Sequence, residues 1–340
     1  MNYLSNKMQP LWRLTMLMLL AGAAQAQTRY DITPVRGPTA NIYATALNNR
    51  AQIAGNMPVG ESTQAVLYDR GNATLLGTLG GGSSYSADLN ERGQVVGASY
   101  NSAGESRAFL YSDGTMRDIG TLGGCCADAQ GINNAGQIAG TSATSSDSWH
   151  AYRYTRGVMT DLGTLGGIFS VGNDINARGD VVGNSMTADG DIHAFLHDGS
   201  AMRDLGTLGG PYSFASANNE RGHVVGFAQR ADNFYHAFLY ANGVMQDLGT
   251  LGGTFSVAQG INAHDQIVGE SLLAAPGAPT HGFIYSGGVM RDLNSLIDPA
   301  SGWSVEHAWD INDRGQILGY GCRAGDCATL LLTPTSRAMD

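Results

Sequence analysis

From residue 30 to residue 334 the chain is a succession of short apolar runs cut by glycine-containing turns, with no long helical pattern between them. Residues 168–210 show the arrangement in one copy. A first strand is predicted over 170–175, a turn at Asn176-Ala177-Arg178-Gly179, and a second strand over 180–184. A third follows over 193–197, then an Asp198-Gly199 hairpin turn and a fourth strand over 202–208. The copies keep register. The glycine closing the INxxGQ(I/V)(V/A)G stretch falls at Gly55, Gly97, Gly140, Gly183, Gly226, Gly269 and Gly319, with spacings of 42, 43, 43, 43, 43 and 50. We number the units one to seven by these glycines.

Four strands in each period of this length, repeated in series, are the pattern of a β-propeller blade. The expected fold is all-β, a seven-bladed β-propeller of four-stranded antiparallel blades, with an open solenoid as the alternative. Unit seven has too few residues after 334 for a fourth strand, and residues 30–35 form a strand without a hairpin partner. The N-terminal strand is therefore expected to complete the last blade and close the ring, removing two exposed edges.

Two columns of the repeat read as scaffold. The turn asparagines Asn48, Asn90, Asn133, Asn176, Asn219, Asn262 and Asn312 suit a side chain that bonds its own backbone two residues on. A ligand role for them is the less favoured reading. Small residues at Ala44, Ser86, Ala129, Gly172, Ala215, Ala258 and Ala308 suit crowded innermost strands.

The repeated HAF(L/I)Y and DLGTLGG elements, the latter intact at 161–167, 204–210 and 247–253, resemble the bacterial HAF-type extracellular repeat over nearly all of residues 30–334. The resemblance implies an exported β repeat protein. It brings no catalytic motif.

Residues 1–26 read as a secretory signal peptide: Lys7 and Arg13, an apolar run from Leu14 to Ala24, and the small-x-small site Ala24-Gln25-Ala26. The domain reading is thus signal peptide 1–26, propeller 27–334 and tail 335–340, with a periplasmic or extracellular address. Taking the charges of Lys7 and Arg13 from the net −10 leaves −12, with no lysine. Such a surface argues against nucleic acid and anionic membrane as partners, and excludes lysine Schiff-base chemistry. Neither membrane insertion nor oligomerisation is expected.

Cys322 and Cys327 flank a short loop and are expected to bond to each other. Adjacent Cys125 and Cys126 leave three states open: a vicinal disulfide, two free thiols or cross-pairing. No metal or other cofactor is expected, and Asp189-Gly190-Asp191, with Asp147 and Asp232, carries only a weak calcium signal.

The loops between second and third strands, at 56–64, 98–107, 141–150, 184–193, 227–236 and 270–281, differ from unit to unit and define the expected binding face. His150, His193, His236 and His281 open the third strand at that end, where Gln64, Arg107 and Cys327 stand in the other units. They are read as structural, each bonding its own loop backbone, against metal ligation or proton transfer. At the axial entrance Phe169, Tyr212, Phe255, Trp303 and Trp309 are the candidate ligand-binding residues, suited to stacking on sugar faces. The leading reading is an exported module that binds a glycan or protein ligand. The alternative is a polysaccharide lyase or hydrolase using His307, Glu306, Arg230 and Tyr212.

Overall fold

The computed structural model describes residues 28–335 apart from Thr39, Pro276 and Ala278; the signal-peptide reading and the tail from 336 lie outside the described residues. The chain is all-β, with five separate four-stranded antiparallel sheets and one eight-stranded sheet. In the eight-stranded sheet units four and five are joined by the single parallel pair Ile192↔Tyr212.

Unit four shows how the predicted strands differ from the observed ones. Its strands are Gly166–Ile175, Val181–Thr187, Ile192–His197 and Met202–Asp204. The first begins earlier than predicted, because the two glycines of LGG already belong to it. The fourth ends at Asp204, where its carboxylate accepts from the Gly206 N–H at 2.7 Å and turns the chain into the linker. The second and third strands continue almost to their turn, so the supposed long loop shrinks to residues 188–191. The same holds in units one, two, three and five, and only unit six keeps a longer connection at 274–279. The variable segments are strand ends and tight turns, because cross-strand pairing persists wherever both backbones can reach it.

The N-terminal strand Arg29–Val35 pairs antiparallel with Asp326–Thr335, from Arg29↔Thr335 to Val35↔Thr329, and forms the outer strand of the last sheet. Tyr30 and Val35 are buried there, Tyr30 against Leu296, Trp303 and Leu330.

The core lies between adjacent units. Val182, Ala194 and Leu196 of unit four, for example, pack on Ala215, Val224 and Phe238 of unit five. The third residue of each HAF-type element supplies the centre of these layers: Phe109, Tyr152, Phe195, Phe238 and Phe283 are fully buried. Each such side chain contributes roughly 1.5–3 kcal/mol of transfer free energy, so the repeat holds its neighbours together through this column. The small column faces the preceding unit. A Cβ added at Gly172 would lie 2.8 Å from the Gly140 carbonyl oxygen, so strands of successive units touch backbone to backbone.

The turn asparagines do more than shape their turns. Each Oδ1 accepts from the N–H two residues on, as in Asn133 to Ala135 at 3.0 Å, which is the expected turn bond. Each Nδ2 also donates to the backbone carbonyl of the next unit's asparagine: Asn48 to Asn90, Asn90 to Asn133, Asn133 to Asn176 and Asn176 to Asn219. The series continues through Asn219 to Asn262 and Asn262 to Asn312, and Asn312 donates to the carbonyl of Asn48 at 3.0 Å. The circuit ends where it began.

Candidate functional site

The histidine set is a repeated latch. Nδ1 of His150 lies 2.8 Å from Asp161, His193 2.7 Å from Asp204, His236 2.9 Å from Asp247 and His281 2.7 Å from Asp292. The partner is thus the aspartate opening the linker, not the loop backbone. That carboxylate also caps the linker, accepting from Gly163, Gly206 and Gly249 N–H. In unit two Arg107 replaces histidine and binds Asp118 at 2.9 Å. Unit one has Gln64 and, at the aspartate position, Leu75, so both partners change together. Each latch is satisfied within its own unit.

Arg230 belongs to this local chemistry as well. Its guanidinium sits 3.2 Å from Asp232 and 3.4 Å from Asp247, so it is not aimed across the ring at His307. Tyr212 is partly exposed beside Ile192. Asp189 and Asp191 occupy a turn, and among the described residues no three His, Cys, Asp or Glu side chains converge as a cation site.

At the innermost strands the structure assembles a different group from the one expected. His307 Nδ1 contacts the Glu270 carboxylate of the preceding unit, and Glu306 is not its partner. The His307 ring lies 6.3 Å from Tyr320, which lies 6.1 Å from Trp309. Phe214 stacks on Phe227 at 4.8 Å, with Tyr235 at the edge of Phe227. Two further rings that the sequence reading missed, Tyr43 and Tyr85, stand in the same column as His307 and Phe214 and are 56% and 43% exposed. The signal was available: both are second-strand partners in register, Tyr43↔Asn56 and Tyr85↔Ala98, as His307 is to Tyr320.

The remaining predicted rings separate. Trp303 is only 8% exposed, within the last unit's core, with the Arg323 guanidinium 4.8 Å from its ring, so it offers little surface to a ligand. Phe255 is partly buried. Phe169 lines a shallow cleft of about 420 Å³ with Asp147, Ser148, Trp149 and Ile168. Trp149 and Ile168 are 42% and 72% exposed, an apolar surface at the junction of units three and four.

On the Asn-turn side, three aspartates absent from the sequence reading stand at one column of the innermost strands. Asp88 accepts from Leu89 and Ile132 N–H, Asp174 from Ile175 and Asn218, and Asp310 from Ile311 and Leu47. Each carboxylate therefore joins its own unit to the next. The other units carry Ala46, Gly131, Ala217 or Gly260 in this column, and a Cβ on Gly131 would lie 2.9 Å from Asp174 Cα. Burial pushes all three carboxyls up, Asp174 to about 6. Asp88 and Asp310 line an opening of about 210 Å³ together with Glu91, Glu220 and Asp313.

Neither a family model nor a curated protein matches this chain. Solved structures do. The fold is similar to a puromycin hydrolase mutant complexed with PGG, at 10% identity and TM-score 0.57, covering 90% of this chain and 55% of that one. It is similar to the β-propeller domain of the Trilobed protease from Pyrococcus furiosus, at 11% identity and TM-score 0.55, covering 76% and 86%. It is also similar to a catalytically inactive virginiamycin B lyase from Staphylococcus aureus with quinupristin, at 12% identity and TM-score 0.53, covering 89% and 99%. These likenesses identify a β-propeller fold. Among the described residues no helix is long and apolar enough to cross a membrane.

Proposed function

We propose that this chain is an exported, closed seven-bladed propeller that binds a glycan at the axial entrance on the side away from the asparagine turns. Closure is supported by the asparagine circuit and by the N-terminal strand in the last sheet. Export follows from the signal-peptide reading of residues 1–26. The observation that carries the binding assignment is the pair of exposed tyrosines, Tyr43 and Tyr85, on innermost strands otherwise devoted to tight packing. An exposed phenol offers a flat apolar face and a hydrogen-bonding tip, the combination a pyranose face requires. Trp309, Tyr320, Glu270 and His307 add a second aromatic wall with charged and polar groups beside it. The fold alone does not choose this function, since propellers host many chemistries.

The test is titration of soluble oligosaccharides from a polysaccharide panel, followed by calorimetry. Tyr43→Ala and Tyr85→Ala each weaken binding by a stacking increment of about 0.5–1.5 kcal/mol while leaving the melting temperature within a degree or so. Unchanged affinity in both variants refutes the site.

One observation favours a second reading, catalysis on the same ligand class. A carboxylate orients the imidazole of His307 through Nδ1, leaving Nε2 as the group for general acid–base work. New reducing ends or unsaturated products, lost in His307→Ala but retained in Glu306→Gln, would establish it.

A further inference from the structure

The segment entering the first strand of unit three departs from its counterparts at three consecutive positions. Units four, five and six read Ile168-Phe169-Ser170, Pro211-Tyr212-Ser213 and Thr254-Phe255-Ser256; unit three reads Cys125-Cys126-Ala127. The register confirms the alignment, with Ala127↔Ser142 matching Ser170↔Ser185 and Ser256↔Ser271.

The lost serine has a definite structural task. Ser170 Oγ accepts from Ala151 N–H at 2.8 Å and donates to the Gly163 carbonyl at 2.5 Å, tying the preceding unit's third strand to the linker. Ser84, Ser213 and Ser256 make the same two bonds. Ala127 has no hydroxyl to make either. As in units two, four, five and six, the ladder skips the residues between the second glycine of this element and the serine position, here Gly123 to Ala127, so what sets unit three apart is the loss of the two serine bonds.

The two cysteines are adjacent in the chain, and neither is disulfide-bonded in the structure. The Cys126 thiol is held above its ordinary range first by its hydrogen bond with the Cys125 thiol and then by burial. Cys125 is exposed, and Arg107 donates to its carbonyl at 3.3 Å, placing a guanidinium beside the pair. Cys322 and Cys327 are already bonded to each other, so no other cysteine among the described residues is free to pair with them.

We infer that Cys125 and Cys126 are a redox-active pair that closes to a vicinal disulfide and opens again under reducing conditions. Closure occurs by thiol–disulfide exchange with an external disulfide. A thiolate of the pair attacks that disulfide, and the second thiolate then displaces the bound thiol. Two S–H bonds are replaced by one S–S bond, and two protons and two electrons leave with the oxidant, which becomes two thiols. Neighbouring Cα atoms sit about 3.8 Å apart across a trans peptide, short of the roughly 4.4 Å at which ordinary disulfides begin, so the bond is strained and readily reduced. The two missing serine bonds give the backbone room to move between the two states. The site lies where neighbouring units place Phe169, Tyr212 and Phe255, so the switch changes the surface beside the proposed entrance.

Trypsin separates the two cysteine pairs cleanly, since residues 118–153 between Arg117 and Arg153 contain Cys125 and Cys126 alone, while cleavage at Arg323 leaves Cys322 and Cys327 on two peptides joined by their bond. The intact protein, exposed to oxidised glutathione and alkylated without reduction, should yield peptide 118–153 free of alkyl groups and lighter by two hydrogens. A dithiol should make both cysteines alkylatable, and renewed oxidised glutathione should reverse this. Hydrogen exchange across 120–128 should be several-fold faster in the dithiol form. The variant carrying Cys125→Ile and Cys126→Phe restores the neighbouring pattern and should lose the redox dependence of that exchange. The inference is overturned if both thiols alkylate in oxidised protein whose Cys322–Cys327 bond is intact, or if the double variant keeps the redox-dependent exchange.

Discussion

Whether the asparagine circuit truly closes the molecule can be read from two matched substitutions, Asn133→Asp inside the series and Asn312→Asp at its return. The two sites are equivalent. Each asparagine is 5% exposed, each Oδ1 accepts two turn N–H groups at 3.0 Å, and each Nδ2 donates to a glutamine and to the next unit's carbonyl. Aspartate keeps the two turn bonds and replaces the donor with a second acceptor. The glutamine amide can turn to donate, but the carbonyl of Asn176 or Asn48 cannot. A buried acceptor left unpaired costs about 1–3 kcal/mol, and a carboxylate facing it adds to that, so each variant should lose about 2–4 kcal/mol at neutral pH. For a chain of this size about 3 kcal/mol corresponds to roughly 5 °C in Tm. The new carboxyl should titrate above the usual 3.9 or so, because its protonated form can donate to the carbonyl. A raised folded-state pKa gives a contribution fully present below the unfolded pKa and lost as pH rises through the folded one, so both penalties should shrink on acidification. Urea unfolding at several pH values measures this. In an open array Asn312 would face solvent and tolerate the change. A cost at Asn312 below about 0.5 kcal/mol, beside a full cost at Asn133, refutes closure.

Three further outcomes follow. Deleting residues 28–36 should destabilise the protein by at least about 4 kcal/mol, since it removes a whole strand and exposes the sites of Tyr30 and Val35; an unchanged urea midpoint would show that this strand does not hold the last sheet. Gln64→His together with Leu75→Asp should install in unit one the latch found in units three to six, with a coupling of about 0.5–1 kcal/mol in a double-mutant cycle, and zero coupling contradicts the latch. Asp174, pushed up to about 6 by burial, contributes stability that is fully present below about 3.9 and lost as pH rises through 6, so Asp174→Asn should flatten the stability–pH curve in that window; an identical slope in the variant sinks the assignment.

The fold was legible because it is written seven times. Glycine spacing, the unpartnered strand at 30–35 and the short loop between Cys322 and Cys327 each correspond to something the structure contains. What stayed hidden is what passes between copies. The turn asparagines looked sufficient as local turn formers because their Oδ1 bonds are local, whereas the Nδ2 bonds reach some 43 residues along the chain. Glu306 and His307 stand side by side among the catalytic candidates, yet adjacent strand residues face opposite sides, and the carboxylate that His307 contacts is that of Glu270 on the neighbouring unit.

The aspartates of the central column show how such contacts can be read without coordinates. Going round the units the column runs Ala46, Asp88, Gly131, Asp174, Ala217, Gly260, Asp310. Two aspartates are never neighbours: each carboxylate takes an N–H from the following unit, and a Cβ on Gly131 or Gly260 would crowd Asp174 or Asp310 of the unit after it. The exclusion must also hold between the last unit and the first, and Asp310 followed by Ala46 obeys it. The same test applies to the latch, where Gln64 and Leu75 change as a pair, whereas Arg107 keeps the aspartate and takes over the ion pair with Asp118. In a repeat protein a column that varies in step with another column, or with its own neighbours round the circuit, marks a contact between side chains. In the column of Tyr43 and Tyr85, Phe214 and His307 meet second-strand rings at Phe227 and Tyr320, whereas the two tyrosines pair with Asn56 and Ala98 and stay exposed, and that is where a ligand is to be sought.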